Sequence, residues 1–183
     1  MAPAACTVRH ARQEDVPTML ALIRELADYE HEIDSVETTE VHLLATVAFA
    51  PAGVESTSTS PNTEPTSPTK PARCLLLFNE SKEPAGMALY FYNYSTWRAK
   101  AGIYLEDLYV KLSQRKKGYG KRLLVELAKE VVAMDGGRLE WSVLKWNKPS
   151  IDFYESIGAQ TMSEWVGMRV DRDGLTKLAG LLD

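Results

Sequence analysis

The chain has 183 residues, 45% apolar, 25% charged and 9% aromatic. That size supports one domain burying roughly 70% of its unfolded surface, and a net charge of −4 with a pI near 5.5 argues against a polyanion binder as a whole. Two cysteines, Cys6 and Cys74, without a CxxC pair exclude a disulfide framework; no apolar run approaches the ~18 residues of a membrane span. The first six residues lack the basic and apolar regions of a secretory signal, so a cytoplasmic location and no membrane partner are expected.

Residues 6–11 read as a short strand. Gln13, Glu14 and Asp15 place acids at a helix start, where they suit the dipole. Val16, Met19, Leu20, Ile23, Leu26 and Ala27 follow at helical spacing to about Glu30. A second helix is expected to begin near Thr38-Thr39-Glu40, turning Val41, Leu44, Val47 and Ala48 to the core. Residues 51–72 break the pattern: 14 of the 22 are Ser, Thr or Pro and none is aromatic. Such a stretch buries too little surface to offset its conformational entropy. It is expected as a mobile surface loop inserted into one domain, residues 1–183. Residues 73–79 read as a buried strand. Residues 85–94 read as another, with Tyr90, Tyr92 and Tyr94 on one face and Phe91 on the other, and 102–111 as a third. A basic loop at 113–119 leads into a helix bearing Leu123, Leu124, Leu127, Ala128, Val131 and Val132, which Asp135-Gly136-Gly137 ends. Then come a strand at 138–144, a short helix at 149–157 closed by Gly158, strand and turn at 159–170, and a last helix at 175–182. Strand–helix–strand crossovers place the chain in the α/β class.

Three segments carry candidate chemistry. In Arg115-Lys116-Lys117-Gly118-Tyr119-Gly120-Lys121-Arg122, five of eight residues are basic. The segment lies between a strand and a helix N-terminus, where free amides and the dipole favour an anion. A solvated basic turn, a phosphate or pyrophosphate cradle and a nucleic-acid contact all remain open, the last weakened by the acidic balance of the chain. It is neither a Walker A loop nor GxGxxG. In the second segment, residues 104–110, Glu106 and Asp107 interrupt an apolar strand. Alternation sets them on opposite faces unless a bulge intervenes. They read either as solvated strand-end acids or as carboxylates that attract a cation or take a proton. In the third, residues 146–159, Pro149 suits the first turn of a helix and Gly158 its C′ position. Tyr154 shares a face with Ile151 and Ile157 and reads, taken alone, as core packing. His10, His31 and His42 show no metal-ligand spacing, and Ser142 and Ser150 no nucleophile elbow. Neither a metal nor a serine triad is expected.

Together the three segments resemble the GNAT family of acetyl-CoA-dependent N-acetyltransferases. Arg115 to Gly120 matches the family's pyrophosphate loop, [RQ]xxGx[GA], and Asn147-Lys148-Pro149-Ser150 and Phe153-Tyr154-Glu155 come downstream. Leu105-Glu106-Asp107-Leu108-Tyr109-Val110 and Leu22 to Glu30 resemble the diamine (spermidine/spermine) and thialysine branch. The resemblance implies a mixed, strongly bent sheet flanked by helices, with two parallel strands splayed to admit CoA. It implies direct acetyl transfer to a primary amine of a small cationic substrate. Tyr154 would protonate the departing thiolate; Glu106 would bind the substrate ammonium and help remove its proton, with Asp107 adding to the acidic site. Leu108, Tyr109 and Val110 would pair with the pantetheine arm through their backbone. Arg115, Lys116, Lys117, Gly118, Tyr119, Gly120 and Lys121 would hold the pyrophosphate. Asn147, Pro149 and Ser150 would line the thiol end, and Tyr29 and Glu30 would border the amine. Acetyl-CoA is the implied co-substrate, without a metal, and a homodimer without nucleic acid the implied assembly. Val166 and Met168 stand where the diamine branch carries an acid and a Trp, which leaves short diamines and thialysine-like amino acids open. The rival readings are a GNAT acting on a protein or peptide amine, and a catalytically silent CoA- or nucleic-acid-binding module.

Overall fold

The computed structural model describes residues 5–54 and 56–182. Contacts divide the chain into two compact units, Met1–Ser142 and Val143–Asp183. In the first unit five strands lie in chain order: β1 (Thr7–His10), β2 (Arg73–Phe78), β3 (Pro84–Ser95), β4 (Lys100–Val110) and β5 (Leu139–Trp141). β1 to β4 pair antiparallel, and β5 joins β4 in parallel, making the sheet mixed. The β2 run Cys74-Leu75-Leu76-Leu77 is buried on both faces, as a continuous apolar run requires.

Alternation then assigns the two faces. Cys74, Leu76, Met87 and Tyr109 pack with Val16, Met19, Leu20 and Leu22 of α1 (Val16–Tyr29). The other face carries Tyr90, Ile103 and Leu105 and meets α3 (Tyr119–Ala133), whose Leu123 and Leu127 are fully buried. α2 (Glu40–Thr46) is capped by Thr39, whose side chain accepts from the His42 amide. Its inward positions differ from the expected set. Val41 and Leu44 are exposed, while Leu43 and Val47, one helical turn apart, are buried together with Ala48, Phe49 and Ala50. Seven residues offer one narrow stripe, and the Leu43–Val47 stripe is the one continuous with this apolar run.

Residues 51–72, expected to lie loose on the surface, send Ser56 and Ser58 inside, each 2% exposed. Ser58 Oγ donates to Glu126 Oε2. Ser56 Oγ lies 2.9 Å from His10 Nδ1 and accepts from the Asn62 amide. His10 Nε2 is 2.8 Å from the Tyr90 hydroxyl, which donates to Glu130 Oε2 at 2.7 Å; Tyr92 donates to Glu130 Oε1 at 2.5 Å, and Arg73 lies 3.5 Å from the same oxygen. With Glu130 as the ionised acceptor of Tyr90, Nε2–H donates to Tyr90 and Ser56 Oγ donates to Nδ1, which also lies 3.3 Å from the Ser56 carbonyl. Burial holds His10 neutral, its pKa lowered to about 4.

The second unit holds α4 (Lys148–Ser156) and α5 (Asp173–Ala179). Asn147 caps α4 by accepting from the Ser150 amide, Pro149 sits in the first turn, and Gly158 comes after it at φ +94. The strand expected at 159–170 does not form. A strand needs a neighbour to take its amides, and this unit contains no other among its described residues. Trp165, Val166, Met168 and Val170 are exposed, and Asn147 is the one buried residue described in the unit.

Candidate active site

The carboxylates are organised by an irregularity of β4. Leu89 pairs with Asp107 and Tyr90 with Leu105, so Glu106 is an extra residue bulged out of the ladder. Such a bulge resets the alternation beyond it. Leu105 faces α3, and Asp107 returns to the face that carries Leu89 and α1. Glu106 is exposed and Asp107 half-buried. Burial above all, then the charges of Glu106 and Glu30, push the Asp107 carboxyl up to about 6. Burial and Glu32 also raise Glu30 at the end of α1. Asp107 thus lies close enough to feel both Glu106 and Glu30, the other two acids expected to serve the amine.

The other β4 edge opens beside them. β5 pairs with Ile103, Tyr104 and Leu105, and β4 continues to Val110 with no further β5 partner. The expected backbone positions Leu108, Tyr109 and Val110 lie on that run past β5, where the Val110 carbonyl is taken by Arg115. Tyr109 itself is 3% exposed, and burial, with Glu25 beside the phenol, pushes its pKa up to about 12.

Past β4 the chain makes a short turn at Leu112–Gln114 and reaches α3 through Lys116 at φ +64 and Gly118 at φ +82. Gly118 is the N-cap of α3 and no side chain caps the helix. The first amides, at Tyr119, Gly120 and Lys121, therefore have no helical acceptor. Lys116, Lys117 and Lys121 are exposed around them, Lys117 Nζ donating to Gln114 at 2.7 Å. Arg115 turns away: its Nε donates to the Val110 carbonyl at 3.1 Å and its guanidinium lies 4.3 Å from the Tyr29 ring centre and 5.8 Å from that of Tyr109. It ties α1 to the end of β4. The Tyr119 ring is core, 2% exposed, leaving its amide as the usable group.

Within the second unit, Tyr154 is half-buried on α4, its ring 5.4 Å from Phe153. Asn147 is buried and held by its capping bond, with Ser150 one turn on. Among the described residues no group of three His, Cys, Asp or Glu side chains is placed to hold a metal ion, and no helix is long and apolar enough to cross a membrane.

A mixed five-stranded sheet in which β4 runs on past its β5 partner after Leu105, carboxylates beside that edge and an uncapped basic helix start make up the candidate site. The model of the acetyltransferase (GNAT) family matches residues 39–159, and the chain belongs to that family. It is 35% identical over 182 residues to a thialysine N-epsilon-acetyltransferase of Bos taurus, covering 94% of this chain and 96% of that one. It is 45% identical over 91 residues to an L-ornithine N5-acetyltransferase of Arabidopsis thaliana, a match spanning 50% of this chain and 40% of the relative. Among solved structures, an integron cassette protein of V. cholerae superposes with a TM-score of 0.71 at 22% identity, covering 96% of this chain and 98% of its own. The chain is an N-acetyltransferase of this fold.

Proposed function

We propose that the protein transfers acetyl from acetyl-CoA directly to the primary amine of a small cationic acceptor, of the class that includes ornithine and thialysine. The observation that carries the reading is Asp107: a half-buried carboxyl raised to about 6, flanked by Glu30 and Glu106, beside a strand edge left unpaired. A primary amine is a cation at neutral pH; it must be held as one and then deprotonated. Asp107 and Glu106 hold the ammonium and pass its proton to water, with Tyr29 and Glu30 at the border. The residues fit the co-substrate. The amides of Tyr119, Gly120 and Lys121, with Lys116 and Lys117 around them, suit a pyrophosphate, and the free β4 edge suits an extended amide arm. When bound, acetyl-CoA supplies the acetyl group as an activated thioester. Tyr154 holds the proton that the departing sulfur needs, and Asn147, Pro149 and Ser150 line that end.

The protein works in the cytoplasm as a homodimer in this reading, the exposed apolar run around Trp165, Val166 and Met168 offering surface to bury. The test is CoA release with ornithine, thialysine, 1,4-diaminobutane, spermidine and a basic peptide. Turnover of the small amines supports the reading. Turnover of the peptide alone overturns it in favour of a peptide acetyltransferase, and acetyl-CoA binding without any turnover in favour of a silent module.

A further inference from the structure

Arg115 opens the basic loop, yet its side chain is spent elsewhere. Nε donates to the Val110 carbonyl at the end of β4, and the guanidinium lies 4.3 Å from the centre of the Tyr29 ring. Arg115 and Tyr29 are both half-buried, so the stack is partly shielded from water. Tyr29 is the last residue of α1 and Glu30 its C-cap. The guanidinium therefore brings a positive charge to the negative end of the helix dipole. Beyond Glu30 the chain turns away at His31, φ +63, and the amides of Glu30 and Glu32 close the last turn onto Leu26 and Ala27 of α1 itself. One turn back, Glu25 meets β4 through the Tyr109 phenol and stands 3.7 Å from Lys111 Nζ. At the last turn the group that reaches across to β4 is Arg115.

Glu30 belongs to that last turn, and its charge reaches Asp107 on β4. The relative placing of the two acids thus depends on how firmly the end of α1 is held to the strand. We propose that Arg115 is a positioning residue for the acceptor amine: from inside the basic loop it pins Tyr29, and so keeps Glu30 within reach of Asp107 as two parts of one ammonium site. The proposal rests on the small-amine acetyl-transfer reading and deepens it. Charge and position make opposite demands at this residue. A guanidinium near an ammonium site repels the ammonium, so if Arg115 acted by charge alone, a neutral residue in its place would tighten amine binding. As a positioning residue its loss weakens that binding. Lysine separates the two roles further, since it keeps the charge and gives up both the planar stack and the Nε donor.

The test uses the full chain with ornithine and 1,4-diaminobutane. Calorimetry without co-substrate gives the amine Kd, CoA release gives the amine KM and kcat, and the melting temperature records that each variant folds. Arg115→Lys and Arg115→Gln should each raise the amine Kd and KM about three- to tenfold. At saturating amine and acetyl-CoA, kcat should stay within a few fold, a split that a merely loosened fold does not produce. Tyr29→Leu should cost the amine a similar factor. Arg115→Lys added to it should cost little more, because the ring through which Arg115 acts is then gone. An amine Kd unmoved or tightened by either Arg115 substitution overturns the proposal. So does a loss in the double variant equal to the product of the two single losses. Failure of the parent reading looks different: no CoA release with either amine, while calorimetry still shows amine binding that Arg115→Lys weakens. That outcome keeps the positioning role and discards the reaction; absence of both turnover and amine binding discards both.

Discussion

Asp107 is set where its charge is unwelcome. Its pKa in the fold, about 6, stands above the ordinary 3.8, so the folded state holds the proton more tightly than the unfolded chain does. Its contribution to stability is complete below pH 4 and is lost as pH rises through 6, amounting to up to about 3 kcal/mol by pH 7. The proposed function runs the other way, because only the ionised form attracts an ammonium. Asp107→Asn should raise the melting temperature at pH 7, raise the amine KM, and remove the fall in amine kcat/KM as pH drops through about 6. Glu106→Gln, at the exposed neighbour, should raise the KM less; equal effects on KM would mean that burial does not distinguish the two acids. Tyr154 calls for a different readout. Tyr154→Phe keeps the ring against Phe153 and deletes the hydroxyl, so kcat should fall about 10²–10⁴-fold with acetyl-CoA affinity nearly unchanged if the hydroxyl is the proton donor. A kcat within a few fold, with about 1 kcal/mol of stability lost, would return Tyr154 to core packing.

Among the elements, the start of α3 is the most exacting. Gly118 sits at φ +82, where a Cβ costs roughly 1–2 kcal/mol. Gly118→Ala should lower both stability and acetyl-CoA affinity, the first by denaturant titration, the second by calorimetry. Affinity unchanged alongside lost stability would separate the turn from the pyrophosphate. This loop is legible in the sequence, because glycines and lysines between a strand and a helix are a local signal. The strand positions are legible for the same reason, β3 and β4 differing from their expected limits by only a residue or two. The side of the sheet that Asp107 faces is not. Alternation alone leaves it undecided, and the bulge that settles it is a matter of pairing between residues 15 and 18 positions apart, Tyr90 with Leu105 and Leu89 with Asp107. The tuck of Arg115 between Tyr29 and Tyr109 is equally hidden, since it joins the end of α1 to the end of β4.

At the scale of the whole molecule, the largest departure from expectation is residues 51–72. Composition describes a segment's average tendency, whereas two serines decide its place. Ser56 completes the hydrogen bonding of His10, and Ser58 that of Glu126. The hint was present in Glu126 and Glu130, acids one turn apart on the inner side of an apolar helix. Loop length itself is a weak term, but each buried group left without a partner costs about 1–3 kcal/mol. Replacing residues 53–70 with a Gly/Ser linker should therefore lower the melting temperature by several degrees, about 4 °C or more, and Ser56→Ala with Ser58→Ala should reproduce most of the loss. An unchanged melting temperature would show that the segment carries no weight. The assembly has its own check: light scattering at micromolar concentration should return twice the monomer mass of 20.4 kDa, and a monomer would refute the homodimer. Finally, the single residue by which β4 outnumbers β3 at Glu106 makes the site a matter of counting as much as of chemistry. A substitution scan preserves length and leaves that count untouched. Deleting Glu106 itself would close the bulge and leave Asp107 opposite Leu89 and Tyr109 opposite Met87, so the ladder can lose that residue and keep its register, and only the exposed carboxylate and the local twist go with it. Among related chains, the feature to align first is therefore a gap, before any particular side chain.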